Sequence, residues 1–271
     1  NENYETLDQA MLGLSVYISW ASWVGGFNSP LDAAIEAIES KERSSNFEKL
    51  LLAKLYVIRS GSYTDYTTSR PAQFNRRAFD LVQETGAGEE LGLWYAILAN
   101  SYGWRVEPEE GIRMLRKSLA YQRQHGDEWE IGFVERSLGG MLWYTNQREE
   151  GYRLVLSAES VCRKLRDMLS LTYVLAELGG FATQSGDFAQ ALAYLNEAQG
   201  ILEKSGYRNL TGLIYENLAQ IHLAQGNYPE AAEWFYKCAD FHRQRGELNL
   251  VASNLSWVSM ALLRSGEYLR A

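Results

Sequence analysis

Apolar residues recur along most of the chain at spacings of three and four, the pattern of helices that bury one face. In the segment 208–246, Leu213 and Leu218 belong to an apolar stripe that stops at Gly226, and a second stripe follows it. Glycine is a common helix stop, and Asn227 directly after it is a favoured N-cap residue. The pattern therefore predicts two helices joined by a tight turn.

The same pattern predicts a series of helix pairs along the rest of the chain. The expected pairs are 4–23 with 30–41, 46–59 with 72–84, 88–104 with 108–124, 127–145 with 148–165, 168–184 with 188–204, and the two helices of 208–246, followed by a single helix at 247–265. The short Gly, Asn and Asp links between them leave no room for strands. The predicted fold class is therefore all-α, an α-solenoid of about six antiparallel helix pairs plus one helix.

A three-residue phrase repeats every 40 residues, as Gly186-Asp187-Phe188, Gly226-Asn227-Tyr228 and Gly266-Glu267-Tyr268. A fixed period of this length indicates stacked repeats, each of which contacts only its neighbours. The frame is regular over 88–271 and degraded before that. We therefore expect one continuous solenoid, with degenerate N-terminal repeats in 1–87 and well-formed repeats in 88–271.

The segment Asn217–Ala232, which reads NLAQIHLAQGNYPEAA, resembles the tetratricopeptide repeat. The unit from 168 matches well, whereas the units from 127 and 88 keep the spacing but lose the Gly-x-Tyr turn. The common form of this repeat has about 34 residues, fewer than the 40 found here. The 40-residue form resembles the arrays attached to signal-transducing NTPases, bacterial transcription activators and caspase-like proteases. This resemblance implies a right-handed superhelix whose first helices line a concave binding face.

Charge and composition limit the classes of partner. A net charge of −8 argues against nucleic acid and against an anionic membrane surface. The run 10–31 has no charged residue, but its serines and acidic flanks favour a buried helix over a membrane span. The opening residues lack the basic region of a signal peptide, so a cytoplasmic location is expected. Cys162 and Cys238 lie in helical patterns and are expected to be buried free thiols.

Residues with catalytic or metal-binding chemistry do not fall into any recognisable motif. The glycine pairs Gly139-Gly140 and Gly179-Gly180 lie inside predicted helices, whereas phosphate loops follow strands. None of the three histidines has a partner at metal-ligand spacing. We therefore expect no catalytic residues, no metal and no cofactor, and the chain is not predicted to be an enzyme.

Positions that recur every 40 residues in the first helix of each repeat are the candidate binding residues. They are Asn100, Trp104, Phe133, Arg136, Gly140, Trp143, Tyr144, Tyr173, Gly180, Gln184, Glu216 and Gln220. Glycine inside a helix costs about 1 kcal/mol relative to alanine, which suggests a pocket floor kept open for a ligand. The aromatic residues would form its rim, and Arg136 would supply a cation. Alternatively, the solenoid is tightly wound and these aromatic side chains only pack between layers.

The predicted function is a non-catalytic protein- or peptide-recognition module, the sensor or scaffold arm of a larger signalling or regulatory protein. The alternative is a receptor for a small molecule or signalling peptide, which would need an enclosed pocket. The chain starts without Met, and Ala271 is the first small position of a second helix. We therefore expect a fragment whose further partners are other domains of the parent chain, with possible self-association through its uncapped C-terminal end.

Overall fold

The computed structural model describes residues 28–41, 45–61, 69–206, 208 and 210–266, which form twelve α-helices and one short 3-10 helix without any strand. In chain order the helices are α1 (Asn28–Glu39), α2 (Asn46–Gly61), α3 (Arg70–Thr85), α4 (Leu93–Arg105), α5 (Pro108–His125), α6 (Glu128–Tyr144), α7 (Arg148–Leu165), α8 (Met168–Gln184), α9 (Phe188–Ser205), α10 (Thr211–Ala224), α11 (Tyr228–Gln244) and α12 (Leu248–Ser265). The 3-10 helix spans Glu89–Leu91. The predicted all-α class is confirmed.

The chain divides into two compact units, residues 1–151 (unit 1) and 152–271 (unit 2), so that the boundary lies in the first turn of α7. In unit 1, α2 packs against α3 and α4 packs against α5. In unit 2, α8 packs against α9, and α10 and α12 both pack against α11. The helix pairs of an α-solenoid are therefore present in each unit. The division predicted at residues 87 and 88 and the right-handed superhelix stay predictions.

The turns after α6, α8, α10 and α12 each contain a residue in the left-handed backbone region. Three glycines spaced 40 residues apart adopt it, namely Gly186 (φ 79°), Gly226 (φ 78°) and Gly266 (φ 84°). Asn146, at the equivalent position after α6, keeps the same conformation with φ 68°. Asparagine tolerates this region better than most residues because its short polar side chain can bond locally. The turn geometry therefore persists where the glycine has been lost.

Aspartate N-caps fix the starts of several helices. The side chains of Asp127, Asp167 and Asp187 accept hydrogen bonds from the backbone N–H groups of residues 130, 170 and 190. The backbone N–H of Asp127 donates in turn to the Glu130 carboxylate, which completes a capping box. Because the first N–H groups of a helix lack internal partners, these caps stabilise the predicted starts of α6, α8 and α9.

The start of α4 differs from the prediction. The apolar pattern predicts a helix from residue 88, but α4 begins at Leu93, and residues 89–91 form the 3-10 helix. Gly92 between them has φ 62° and ψ −130°, a conformation that residues with a Cβ rarely adopt. The helix therefore cannot extend back through this glycine.

Small residues let the helices of a pair approach closely. In unit 1, a Cβ added to Gly111 of α5 would lie 2.4 Å from the Cα of Gly103 in α4. In unit 2, Ala219 and Ala231 are fully buried in one cluster with Phe235, as the sequence predicts. These contacts leave no space for a larger side chain at the crossing points.

A buried polar network links α2, α3 and α4 in unit 1. Asn75, which is fully buried, donates from Nδ2 to Ser60 Oγ at 2.9 Å and accepts at Oδ1 from Ser101 Oγ at 3.0 Å. Ser60 Oγ in turn donates to the carbonyl oxygen of Pro71 at 3.2 Å. A buried network with its members paired fixes one arrangement of the three helices, because any shift leaves polar atoms unpaired.

Two further predictions concern a membrane span and the two cysteines. Within the described ranges, no helix is long and apolar enough to cross a membrane. The predicted helix at 4–23 and most of the uncharged run lie outside the described residues. Cys162 and Cys238 are buried cysteines outside any disulfide, as predicted.

Candidate functional site

The candidate residues belong to the first helices of the repeats, and the structure places them in two groups, one in each unit. In unit 1, Asn100, Trp104 and Tyr144 come together where α4 and α6 end. The Trp104 and Tyr144 rings meet edge to face, with centroids 5.4 Å apart, and Trp104 Nε1 donates to Asn100 Oδ1 at 3.2 Å. Trp104 is 48% exposed and Tyr144 57% exposed. We call these three residues the aromatic surface.

Phe133 and Arg136 lie nearer the start of α6, away from the aromatic surface. From residue 133 to residue 144, an α-helix rises about 16 Å. The Arg136 guanidinium lies 5.8 Å from the centre of the Phe133 ring, and the Trp129 ring stacks against Phe133 with centroids 5.9 Å apart. The sequence analysis did not include Trp129, although it lies one turn before Phe133 on the same helix face.

Gly140 and Trp143 lie in the interior of unit 1, although the sequence analysis placed them on the floor and rim of a pocket. Trp143 is only 6% exposed, and the Arg148 guanidinium lies 5.4 Å from the centre of its ring. A Cβ on Gly151 would lie 2.8 Å from the backbone nitrogen of Trp143, so the backbones approach closely here. In this structure, neither residue contributes to the exposed surface of α6, and their role in binding stays a prediction.

In unit 2, the candidate residues lie on the neighbouring helices α8 and α10. Tyr173 and Gly180 are half-buried and Gln184 is exposed on α8, whereas Glu216 is exposed and Gln220 half-buried on α10. A Cβ added to Gly180 would meet only Asn217 Oδ1, at 3.4 Å. The adjacent Asn217 amide donates to the carbonyl oxygen of Ala176 at 3.4 Å and bridges the two helices. A small side chain at Gly180 would therefore fit beside Asn217 without a clash.

The charged residues on the helices of this second group are carboxylates. Helices α8 and α10 contain Glu177 and Glu216 and no Lys or Arg. Burial raises the pKa of Glu216, and the nearby His242 opposes this shift. Glu216 is thus exposed to solvent, although the surrounding protein partly desolvates its carboxylate.

A partly buried group of polar side chains lies behind Glu216, where α11 turns into α12. His242 Nδ1 lies 2.6 Å from Glu247 Oε2, and Arg245 Nε donates to Glu247 Oε1 at 3.1 Å. Burial raises the pKa of Glu247, but the hydrogen bonds from His242 and Arg245 outweigh it and leave the pKa below its usual value. Burial and the charge of Glu216 raise the pKa of the Cys238 thiol to about 12, so this cysteine is not a reactive thiolate.

The sequence analysis found no partner for His242, because Glu247 lies in the next helix start. No metal-binding pattern follows from this group either: in the parts of the chain that the structure describes, no three His, Cys, Asp or Glu side chains are placed to hold a metal ion.

A cleft of about 390 Å³ lies elsewhere in unit 2, between the end of α9 and the start of α10. Its walls include Leu202, Glu203, Arg208, Ile214 and Tyr215. None of the candidate residues lines it. The alternative of a small-molecule receptor with an enclosed pocket therefore gains no support from this cleft.

The chain was compared with known protein families, curated proteins and solved structures. Residues 169–244, which lie within unit 2, match the tetratricopeptide repeat family. Comparison with curated proteins gives no match. Among solved structures, a similar one is the Signal Transduction ATPase with Numerous Domains (STAND) protein with a tetratricopeptide repeat sensor from Pyrococcus horikoshii.

The likeness to that protein has a TM-score of 0.64 at 18% sequence identity, and it covers 85% of this chain and 34% of the other. At this level of identity the likeness concerns the fold, and this chain spans about a third of the length of the ATPase. Residues 169–244 therefore match the tetratricopeptide repeat family, and the fold over most of the chain resembles that of a protein that carries a tetratricopeptide repeat sensor.

Proposed function

We propose that this chain is a non-catalytic recognition module that binds a protein or peptide through the exposed faces of its first helices. The observation that carries the proposal is the aromatic surface of unit 1. Trp104 and Tyr144 remain about half exposed although each packs against the other. Tryptophan and tyrosine are enriched among the few residues that dominate the energy of protein interfaces.

The exposed area is large enough to matter energetically. A buried aromatic side chain covers about 150–250 Å², so the exposed half of each ring amounts to about 75–125 Å². At about 25 cal/mol per Å², covering that half would contribute about 2–3 kcal/mol of gross stabilisation per ring. Side-chain ordering costs little here, because the edge-to-face contact and the Asn100 bond already hold both rings in place.

The alternative interpretation, in which the aromatic residues only fill space between layers, accounts well for Trp143 but poorly for this pair. Trp143 is almost fully buried, whereas Trp104 and Tyr144 present one face each to solvent. Packing between layers requires only the contact that the two rings already make. Their exposed faces therefore favour a partner.

The likeness to the STAND protein supports a place for this module within a longer signalling protein. That ATPase carries a tetratricopeptide repeat sensor, and this chain covers 34% of its length. By analogy, we infer a sensor or scaffold arm joined to further domains, with binding at the repeats passed on to them. This part of the proposal rests on analogy of fold.

The test begins with ligands selected from a phage-displayed library of random peptides on the immobilised chain. Their affinities are then measured for the unchanged chain and for the Trp104→Ala and Tyr144→Ala variants. Each truncation is expected to weaken binding about tenfold or more, because it removes a preordered aromatic contact. Circular dichroism should show unchanged helix content, since both side chains are largely outside the core.

A matched control is available in Tyr236→Ala. Tyr236 is 54% exposed, close to Tyr144, but it lies on the second helix α11. Its truncation is expected to change affinity less than about twofold. Selected ligands that are insensitive to both Trp104→Ala and Tyr144→Ala would contradict the proposed site.

A further inference from the structure

The cleft between the end of α9 and the start of α10 belongs to neither group of candidate residues. Its volume of about 390 Å³ falls within the range of about 300–1,000 Å³ that is typical of small-molecule sites. The cleft is partly open to solvent, so it differs from the enclosed pocket that a receptor built from the candidate residues would need. It is a separate feature of unit 2, and its lining indicates what it could hold.

The floor of the cleft is apolar and fixed by the core. Leu202 of α9 is 7% exposed and Ile214 of α10 is 1% exposed. Tyr215 beside them is half-buried, and its ring packs against Trp234 with centroids 5.5 Å apart. Because core packing already holds these side chains, the floor offers an apolar contact that needs little ordering when a ligand binds.

The charged side chains that line the cleft have opposite signs. Glu203 lies in the last turn of α9, and Arg208 lies in the link to α10. Gln199 Nε2 donates to Glu203 Oε1 at 2.9 Å. Among the described residues, neither Glu203 nor Arg208 forms an ion pair, with each other or with another side chain. A carboxylate and a guanidinium are therefore both available to a ligand in the same cleft.

The two helix ends reinforce this separation of charge. Helix α9 ends beside Glu203, and the C-terminal end of a helix carries a partial negative charge. Helix α10 begins at Thr211, on the side of Arg208, and its first turn carries a partial positive charge. One side of the cleft thus favours a cation and the other side favours an anion.

We infer that this cleft binds a small zwitterion with an apolar body, for which a free α-amino acid with an aliphatic or aromatic side chain is the simplest choice. Its ammonium group pairs with Glu203, its carboxylate pairs with Arg208, and its side chain covers the apolar floor. A ligand with only a carboxylate would bring like charge to Glu203, and a ligand with only an ammonium group would be repelled by Arg208. The inference concerns a second site and does not rest on the proposed function.

The test first compares L-valine, L-leucine, L-methionine and L-phenylalanine with glycine, which lacks the apolar body. Titrations followed by saturation-transfer difference NMR on the full chain give a Kd for each. At least one apolar amino acid is expected to bind about tenfold or more tightly than glycine, because its side chain covers the floor. Its amide, which lacks the carboxylate, and its N-acetyl form, which lacks the ammonium group, should each bind about three- to tenfold more weakly.

Two variants assign each charge of the ligand to its partner. Arg208→Gln should weaken binding of the amino acid about three- to tenfold and remove its advantage over the amide. Glu203→Gln should weaken it by a similar factor and remove the advantage over the N-acetyl form. Lys204→Gln is the matched control, because Lys204 is exposed in the same turn of α9 but does not line the cleft, and it should change affinity less than about twofold. All three substitutions are at exposed positions, so melting temperatures should be unchanged.

Several outcomes would overturn the inference. They are an absence of binding by all four apolar amino acids, binding of glycine as tight as theirs, or affinities that Arg208→Gln and Glu203→Gln leave unchanged. An N-acetyl form that binds as tightly as the free amino acid would also overturn it, and would point to the C-terminal residue of a peptide instead. None of these results bears on the proposed function, which depends on Trp104 and Tyr144 in unit 1.

Discussion

The adjacent glycines Gly179 and Gly180 of α8 should respond in opposite directions to the same substitution. A Cβ at Gly179 would lie 2.9 Å from both Cδ2 and Cγ of Leu195, which is fully buried in α9. A Cβ at Gly180 would meet only Asn217 Oδ1, at an ordinary contact distance of 3.4 Å. Gly179 therefore serves the packing of α8 against α9, whereas Gly180 does not.

The magnitudes follow from two opposing effects. Replacing glycine by alanine inside a helix stabilises it by about 1 kcal/mol at either position. At Gly180 nothing opposes this gain, so Gly180→Ala should raise the free energy of unfolding by about 0.5–1 kcal/mol. At Gly179 overpacking against Leu195 costs about 1–3 kcal/mol, so Gly179→Ala should be neutral or destabilising by up to about 2 kcal/mol.

The measurement is equilibrium unfolding in guanidinium, followed by helical circular dichroism, for the unchanged chain and both variants. Because both substitutions are glycine to alanine in one helix, helix propensity and unfolded-state effects largely cancel in the difference between them. That difference should be about 1–3 kcal/mol in favour of Gly180→Ala. Equal stabilities, or a more stable Gly179→Ala, would refute the close approach of α8 and α9.

The pair also bears on binding. A glycine that costs stability and is not needed for packing is typical of a functional position. The bulkier Gly180→Leu should preserve the fold and weaken the binding of selected peptides if this face takes part in binding. Joint loss of fold and binding would instead assign Gly180 to packing.

Three other predictions concern the stability of the fold. Asn75→Ala should lower the free energy of unfolding by about 2–4 kcal/mol, because it leaves buried hydroxyl groups without partners, and denaturant titration will measure this. Ala231→Leu should lower the free energy of unfolding by about 1–3 kcal/mol through overpacking, whereas the exposed Glu149→Ala should lower it by less than about 0.5 kcal/mol. Equal melting temperatures for the two variants would mean that the repeat frame is misaligned. The lowered pKa of Glu247 stabilises the fold above the ordinary value of 4.5, and this contribution is lost as pH falls through the lowered value. The melting temperature of Glu247→Gln should therefore fall less steeply as the pH is lowered than that of the unchanged chain. Parallel curves of melting temperature against pH would contradict the pairing with His242.

The sequence predicted the helices well because their ends depend on local chemistry. Asp127 and Gly226 mark a start and a stop through the backbone conformation and hydrogen bonds that each residue favours, and the structure keeps both. The prediction of a helix from residue 88 failed, because Gly92 adopts a backbone conformation that a helix cannot contain. Local signals of this kind can be read from a single chain.

The candidate site could be predicted only in part, because exposure depends on side chains of neighbouring repeats. Trp143 and Leu263 occupy equivalent positions in the 40-residue frame, yet Trp143 is 6% exposed and Leu263 51% exposed. Glu135 likewise lies in the core, 5% exposed and paired with Arg123, at a position where Leu175 is fully buried. Equivalent positions in the 40-residue frame thus lie on the same helix face but contact different side chains.

The left-handed residue at Asn146 has a consequence for how such proteins diverge. The family match begins at residue 169, yet Asn146 closes its turn with φ 68°, in the same region of backbone space as Gly186 at φ 79°. A residue with a Cβ in this region costs about 1–2 kcal/mol, and less for asparagine. Sequence drift can therefore erase the signature of a repeat long before it alters the path of the chain. Counts of repeats made from sequence will then fall short of the number that the backbone preserves.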